Sequence, residues 1–294
     1  MLHWEVSLAS KKLVIAAINF LNPAPLMWDF EHEPRATELA RRYSIISSTP
    51  SECAQHLRGG TADIGLVPVA AYPLLPDTLI VPRCAIASLD EVRSILLVVR
   101  HRDGLSRVRS VALDTASITS ATYTKILFRK LWNTNPQFLP MSADLDAMLN
   151  VADAALLIGD PALLALEDRE PREQRTGERL LYLDLAHEWR AWTNTAWVSA
   201  FWAVREDALQ RAGFSPQQLI EDFERSRDGG LDHIAQIVEE WSPRIAVPPI
   251  TIKTYLYENI HYFLDDVCLD GLNLFYRYAV ECGALPGVPS LRFL

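Results

Sequence analysis

Thr49-Pro50-Ser51-Glu52, with Gly59-Gly60 further on, decides how this chain is read. A capping residue, a proline at the first helical position and a glutamate at the third open a helix, and the paired glycines stop it. Strand-length segments flank it, Ser44–Ser48 before and Ala62–Val67 after. Leu13–Phe20 adds a buried strand upstream, and Pro68 opens a short helix downstream. The first third therefore alternates strand and helix, which is the α/β pattern.

The alternation continues outward. Leu79–Ser88, Ser94–Val99, Ser110–Asp114, Gln137–Met141, Ala154–Ile158 and Leu180–Leu185 read as strands, with helices at Thr119–Trp132 and Asp144–Leu149. Glu167–Glu178 is rich in charge and lacks apolar periodicity, so it reads as an exposed loop. Trp197–Val204 is the last strand, and everything after Glu206 reads helical. There Ile252, Tyr255, Leu256, Ile260 and Phe263, then Leu272, Phe275, Tyr276 and Ala279, recur at the spacing of core-facing stripes. Two strand–helix sets with a helical tail predict two α/β lobes, 1–98 with 200–294 and 99–199. Ser94–Arg100 and Trp197–Val204 are the expected joining segments, and the ligand is expected between the lobes.

Composition narrows the function. The 294 residues are 49% hydrophobic and 22% charged, which suits a globular chain, and the net charge of −9 offers no basic face for nucleic acid. No apolar run approaches the roughly 20 residues of a membrane span. Met1–Lys12 is mixed polar and the apolar run after it is too short for a secretory leader, so a cytoplasmic protein is expected. Cys53, Cys84, Cys268 and Cys282 are scattered without C-x-x-C spacing and are expected to be buried free thiols. The seven histidines are isolated from one another, so a metal site is expected only by long-range convergence. The H-E-x-x-H, G-x-S-x-G, P-loop and G-x-G-x-x-G motifs are all missing.

What remains is a set of polar strand ends: Ile18-Asn19-Phe20-Leu21-Asn22, Gly65-Leu66-Val67-Pro68, Asp114–Ser120 and Ile158-Gly159-Asp160. In an open α/β sheet such ends and the helix N-termini after them form the ligand crevice. Asn19 and Asn22 can donate to and accept from ligand oxygens, or satisfy a turn. Ser117, Thr119 and Ser120 at a helix start suit a carboxylate or phosphate, or form a plain cap. Arg93 can pair with a carboxylate, or with its neighbours Asp90 and Glu91. Asp160 is an acid–base group or a helix cap, and His187 with Glu188 reads as an ordinary helix surface. A small anion is the expected ligand.

The runs Ile18–Leu26, Gly60–Pro68 and Val92–Leu97 resemble the menaquinone-biosynthesis MqnA/MqnD family. So do Leu113-Asp114 with Ser117, Thr119 and Ser120, Leu156–Asp160, Asp184-Leu185 with Trp189, and the stretch from Tyr255-Leu256 to Leu272. The likeness follows nearly the whole chain in order and is greatest to the chorismate dehydratase branch. It implies a type II periplasmic-binding-protein-like α/β fold whose interlobe cleft is used for catalysis. It also implies loss of water from chorismate to give 3-[(1-carboxyvinyl)oxy]benzoate, at the entry to the futalosine route, with no cofactor and no metal. In that reading Asn19 and Ser88 fix the enolpyruvyl carboxylate and the leaving hydroxyl. Thr119 and Ser120 hold the other carboxylate, and Asn22, Val67, Arg93, Ser117 and Asp160 complete the substrate-binding set. The partner is thus a small dicarboxylate, and no particular oligomeric state is indicated. The chain departs from the family where Thr193-Asn194-Thr195-Ala196-Trp197-Val198-Ser199 replaces Thr-Gly-Leu-Pro-Phe-Val-Phe, and a bulky Trp197 is expected to narrow the pocket. Ala87–Glu91 also lacks a glycine often found there. The competing expectation is a cytoplasmic sensor that binds a small anion without chemistry.

Overall fold

The computed structural model describes residues 12–100 and 104–294. The amino-terminal segment read as lacking a secretory leader lies outside the described residues, apart from Lys12. Among the described residues ten strands form two five-stranded sheets. The first contains β1 (Leu13–Ile18), β2 (Tyr43–Ser48), β3 (Ile64–Pro68), β4 (Thr78–Ser88) and β10 (Trp197–Arg205) in the order β2-β1-β3-β10-β4. The second contains β5 (Ile95–Val99), β6 (Ser110–Asp114), β7 (Gln137–Met141), β8 (Ala154–Ile158) and β9 (Leu181–Asp184) in the order β7-β6-β8-β5-β9.

The capped helix does what its sequence dictates. Pro50–Gly59 begins with a complete capping box, in which Glu52 accepts from the Thr49 amide at 2.7 Å, and stops where Gly60 turns left-handed at φ 69°. It carries the chain from β2 across β1 to β3, and all three strands run parallel. β10 enters antiparallel between β3 and β4, and β5 enters the second sheet antiparallel between β8 and β9. β10 thus returns to the first sheet after the chain has completed the second, whose strands β5 to β9 follow one another in sequence.

Ser94–Arg100 and Trp197–Val204, expected to join the lobes, are therefore mainly sheet strands. The chain passes between the sheets in the short connections 89–94 and 194–196. An apolar run that can cross a gap can also pair on both edges, and here pairing buries it. We place the lobe boundaries at these two connections.

The pleat divides the core. Ile95, Leu97 and Val99 of β5 face the main core, whereas Leu96 and Val98 face a smaller cluster with Met148, Leu149 and Leu157. Each such buried aliphatic side chain is worth roughly 1.5 to 3 kcal/mol relative to exposure. The expected loop Glu167–Glu178 is in fact largely a helix, Arg169–Thr176. Its buried residue is Arg172, whose guanidinium donates to Asp146 at 2.8 Å and Glu178 at 3.1 Å, so the face turned inward carries no apolar signal. The tail is helical to Glu281 with its longer breaks at 242–248 and 260–265, and Phe263, expected in a core stripe, is 37% exposed in the second of them. The helix Asp266–Glu281 presents Phe275, Tyr276 and Ala279 to the core and packs against both β10 and the helix Ile118–Ile126.

Candidate active site

A cleft lies between the sheets where their strands end. Ile18 lines it at the end of β1, Phe20 and Asn22 just beyond, Leu66 and Pro68 at the end of β3, and Ser199 and Ala200 in β10. From the second lobe come Ser94 and Ile95 at the start of β5, Ser117 and Ser120 after β6, and Ile158 and Gly159 where β8 ends. The walls are largely aliphatic, with Phe20 against Gly159, where an added Cβ would lie 3.3 Å from the ring. Gly159 also sits at φ +60°, a conformation suited to glycine.

The polar groups in this lining are neutral, and no charged side chain is among them. Ser117 caps the helix Ile118–Ile126, accepting from the Ser120 amide at 3.1 Å while its hydroxyl donates to Ser120 Oγ at 3.1 Å. The other first-turn amides have no partner within a helix, so this end favours a negative group. Ser94 Oγ accepts from the buried Tyr255 hydroxyl at 2.8 Å, and Ser199 Oγ accepts from Trp197 Nε1 at 2.9 Å. Asn22 Oδ1 is buried without a hydrogen-bond partner. An unsatisfied buried carbonyl costs about 1 to 3 kcal/mol, which a ligand donor would recover.

Strand and helix geometry sorts the residues singled out from sequence. Asn22, Ser117 and Ser120 line the cleft, and Asp160 stands beside its Gly159 wall. Asn19 lies between the lining residues Ile18 and Phe20 but is exposed and not part of the lining, because β1 has ended at Ile18 and the chain bends at Phe20. Val67, inside β3, is turned away by the strand's alternation, fully buried behind Leu66 and Pro68. Thr119 is turned from the cleft, and its Oγ1 accepts from the Ala70 amide at 3.3 Å.

Two residues prove to be engaged elsewhere. Ser88 is buried and donates to the carbonyls of Asp90 at 3.0 Å and Glu91 at 3.1 Å, so its hydroxyl shapes the connection rather than the cleft. Arg93 faces a separate hollow on the second lobe, with its guanidinium 3.8 Å from Glu167. Trp197 does not narrow the pocket: it is buried, stacked on Tyr123 at 3.6 Å. Sequence reasoning missed Ser94, Ser199 and Tyr255 as site groups. Ser94 stood in the Val92-Arg93-Ser94 run, but Tyr255 looked like any core aromatic until its hydroxyl found a partner.

Burial acts on the nearby carboxylates. The Asp160 carboxyl is pushed above the ordinary aspartate range by desolvation, although it accepts a hydrogen bond from the Leu21 amide across the lobes. Burial also raises Asp114, which accepts from the Ala116 amide at 2.9 Å. The arrangement can hold an anion on dipoles and hydroxyls, pack a ring against aliphatic walls, and place a partly desolvated carboxyl beside it.

Comparison with known proteins agrees with this geometry. A family model described as menaquinone biosynthesis matches residues 13–281. A chorismate dehydratase of Thermus thermophilus is 28% identical over 255 residues, which cover 84% of this chain and 89% of that protein. Among solved structures, a protein from Archaeoglobus fulgidus superposes with a TM-score of 0.67 at 16% identity, covering 93% of this chain and 98% of its own. The periplasmic aliphatic sulphonate binding protein of Escherichia coli gives 0.66 at 13% identity, covering 96% of each chain. At these identities the two structures establish the periplasmic-binding-protein fold, expected from sequence, and nothing finer.

Proposed function

Because the chain belongs to the menaquinone biosynthesis family, we propose that it is a chorismate dehydratase, forming 3-[(1-carboxyvinyl)oxy]benzoate and water from chorismate. The observation that carries this reading is the family match over residues 13–281, which spans both lobes and every residue of the cleft lining. The sensor alternative has no comparable support.

The chemistry suits a site of neutral dipoles. One proton leaves the ether-bearing ring carbon, the C–O bond to the neighbouring hydroxyl breaks, and the ring becomes aromatic. Aromatisation supplies much of the driving force, so the protein's task is to orient the dianion and assist the leaving group. We assign the ring carboxylate to the Ser117–Ser120 helix start. The enolpyruvyl carboxylate, held near the ring, takes the proton, which then completes the departing water.

The roles expected of Asn19 and Ser88 pass to Asn22 and Ser94, which line the cleft. The unpartnered Asn22 carbonyl accepts from the substrate hydroxyl, and Ser94, oriented by Tyr255, donates to the enolpyruvyl carboxylate. Asp160, desolvated at the edge of the cleft, is the rival proton donor to the leaving hydroxyl. The protein acts in the cytoplasm as a hydro-lyase that needs no cofactor.

Incubation with chorismate alone, followed by mass spectrometry for loss of one water, tests the reading. Product is expected faster than spontaneous decay, and chorismate that stays intact in the presence of folded protein overturns it. Asn22→Ala is expected to lower turnover by about 10²-fold through lost positioning of the substrate hydroxyl. Its melting temperature should hold, since the carbonyl removed has no partner in the fold.

A further inference from the structure

Just past the cleft-wall residue Ile260, one short segment gathers three different ligating groups. His261, Asp265 and Cys268 each offer one atom, and these atoms all lie within 4.8 Å of one another. The spacing H-x3-D-x2-C is local, contrary to the expectation that only long-range convergence would build such a site.

Each donor is held by the fold. The main chain of His261 exchanges both hydrogen bonds with Ala87 of β4, at 2.8 and 2.9 Å. Asp265 caps the helix Asp266–Glu281, its Oδ1 accepting from the Cys268 amide at 3.0 Å. That leaves Oδ2 for His261 Nε2 at 2.8 Å. Cys268 is buried, whereas the side chains of His261 and Asp265 are 21% and 44% exposed, so the pair opens to solvent on one side and to the thiol on the other.

We propose that His261 Nε2, Asp265 Oδ2 and Cys268 Sγ bind a divalent transition metal of the zinc class, with water as the fourth ligand. A mixed nitrogen, oxygen and sulfur set selects zinc-like ions, whereas calcium and magnesium take oxygen ligands. Bonds of about 2.0 to 2.3 Å in a tetrahedron set the ligand atoms roughly 3.3 to 3.7 Å apart. The His–Asp pair, 2.8 Å apart, therefore opens slightly, a movement that side-chain rotation supplies. Cys268 gives its proton to solvent, and His261 carries its remaining proton on Nδ1. With carboxylate and thiolate bound, the divalent charge is balanced. The ion sits outside the cleft, so this site is separate from the proposed reaction.

Cobalt(II) titration of the full chain after chelator treatment is the direct test. One equivalent should bind with a thiolate-to-cobalt charge-transfer band, and zinc should displace it. His261→Gln and Asp265→Asn, at partly exposed positions, should each weaken binding by at least about tenfold, and Cys268→Ser should abolish the band. Failure of the wild-type chain to bind one equivalent overturns the proposal, and so does unchanged binding in His261→Gln and Asp265→Asn. Should Cys268→Ser fail to fold, these two variants decide the matter alone. Chorismate turnover is no part of the readout, so failure of the proposed activity leaves this result intact.

Discussion

The two connections between the lobes do the same job with a different balance of means. Residues 89–94 are held by hydrogen bonds. Ser88 donates to two of their carbonyls, Asn259 donates to the Glu91 carbonyl at 3.2 Å, and Asp184 Oδ2 accepts from the amides of Val92 at 3.0 Å and Arg93 at 2.5 Å. Residues 194–196 carry hydrogen bonds too, from Arg190 to the Asn194 carbonyl at 2.7 Å and between the Thr193 and Thr195 hydroxyls at 2.9 Å, but what sets them apart is the aromatic bulk around them. Trp189 packs edge-on to Tyr123, Tyr123 stacks on Trp197, and the Trp189 indole donates to Thr195 Oγ1 at 3.0 Å and the Ala196 carbonyl at 3.2 Å. A directional clamp fails when one acceptor goes, whereas a packed joint fails when volume changes. The contrast predicts which substitutions each can survive.

The largest effect is expected at the packed joint. A Cβ on Gly271 would lie 2.2 Å from the Ala196 carbonyl oxygen, a backbone atom that cannot swing aside. Gly271→Leu should therefore push the helix Asp266–Glu281 off the connection, costing about 4 kcal/mol or more and lowering the melting temperature by about 10 °C. A melt within 2 °C of wild type, on the order of 1 kcal/mol by the same scaling, would show that the joint is looser than its contacts imply. At the polar joint Asp184→Ala strands four amides, since Asp184 Oδ1 also accepts from Ala186 at 3.0 Å and His187 at 3.2 Å. We expect a loss of about 3 kcal/mol by denaturant titration. A loss as large as that of Gly271→Leu would erase the distinction between the joints.

Ser88→Ala sharpens the comparison at smaller amplitude. Two neutral hydrogen bonds disappear, for about 1 to 2 kcal/mol, and turnover should fall far less than in Asn22→Ala. If instead turnover collapses while the melt is unchanged, the hydroxyl belongs to the cleft and not to the connection.

This is also where sequence reading reached its limit. The fold was legible because its signals are local: the capping box at Thr49–Glu52, the left-handed stop at Gly60 and the apolar runs of β6, β7 and β8 lie where the sequence predicts them. The candidate site was half legible. Asn22 and Ser88 are both polar residues at strand ends, and their difference depends on which hydrogen bonds the folded chain has already made. Ser88 meets two carbonyls of its own turn, whereas Asn22 Oδ1 meets none. Asn19 and Asn22 both follow β1, and it is the bend and turn at 20–23 that brings Asn22, and not Asn19, into the cleft wall. Arg172 hid a helix because a buried guanidinium looks like surface charge. In each case the deciding partner is distant in sequence or set by a local turn.

The finest test of the contrast is its pH dependence. Burial raises the Asp184 carboxyl above its ordinary value, despite the four amides that favour its charged form. An acid whose pKa is higher folded than unfolded binds its proton more tightly in the fold, so the charged form carries a penalty there. At a pH below the ordinary aspartate value of about 4 both states are protonated and the penalty is absent. It grows as pH rises from there through the raised value and is complete above it. Asp184→Asn removes the titration, so the stability of wild type relative to this variant should fall across that window, by less than the loss in Asp184→Ala. His187, raised by its hydrogen bond to Asp90, titrates in both proteins and largely cancels in the difference. Gly271→Ala alters no ionisable group, so its stability difference from wild type should stay flat over the same range. Denaturant titrations of the three proteins from pH 3 to pH 8 (about one unit below the ordinary aspartate value to about four above) check both statements. A difference that rises with pH for Asp184→Asn would mean that the four amides outweigh burial, making the polar joint strongest in its charged state.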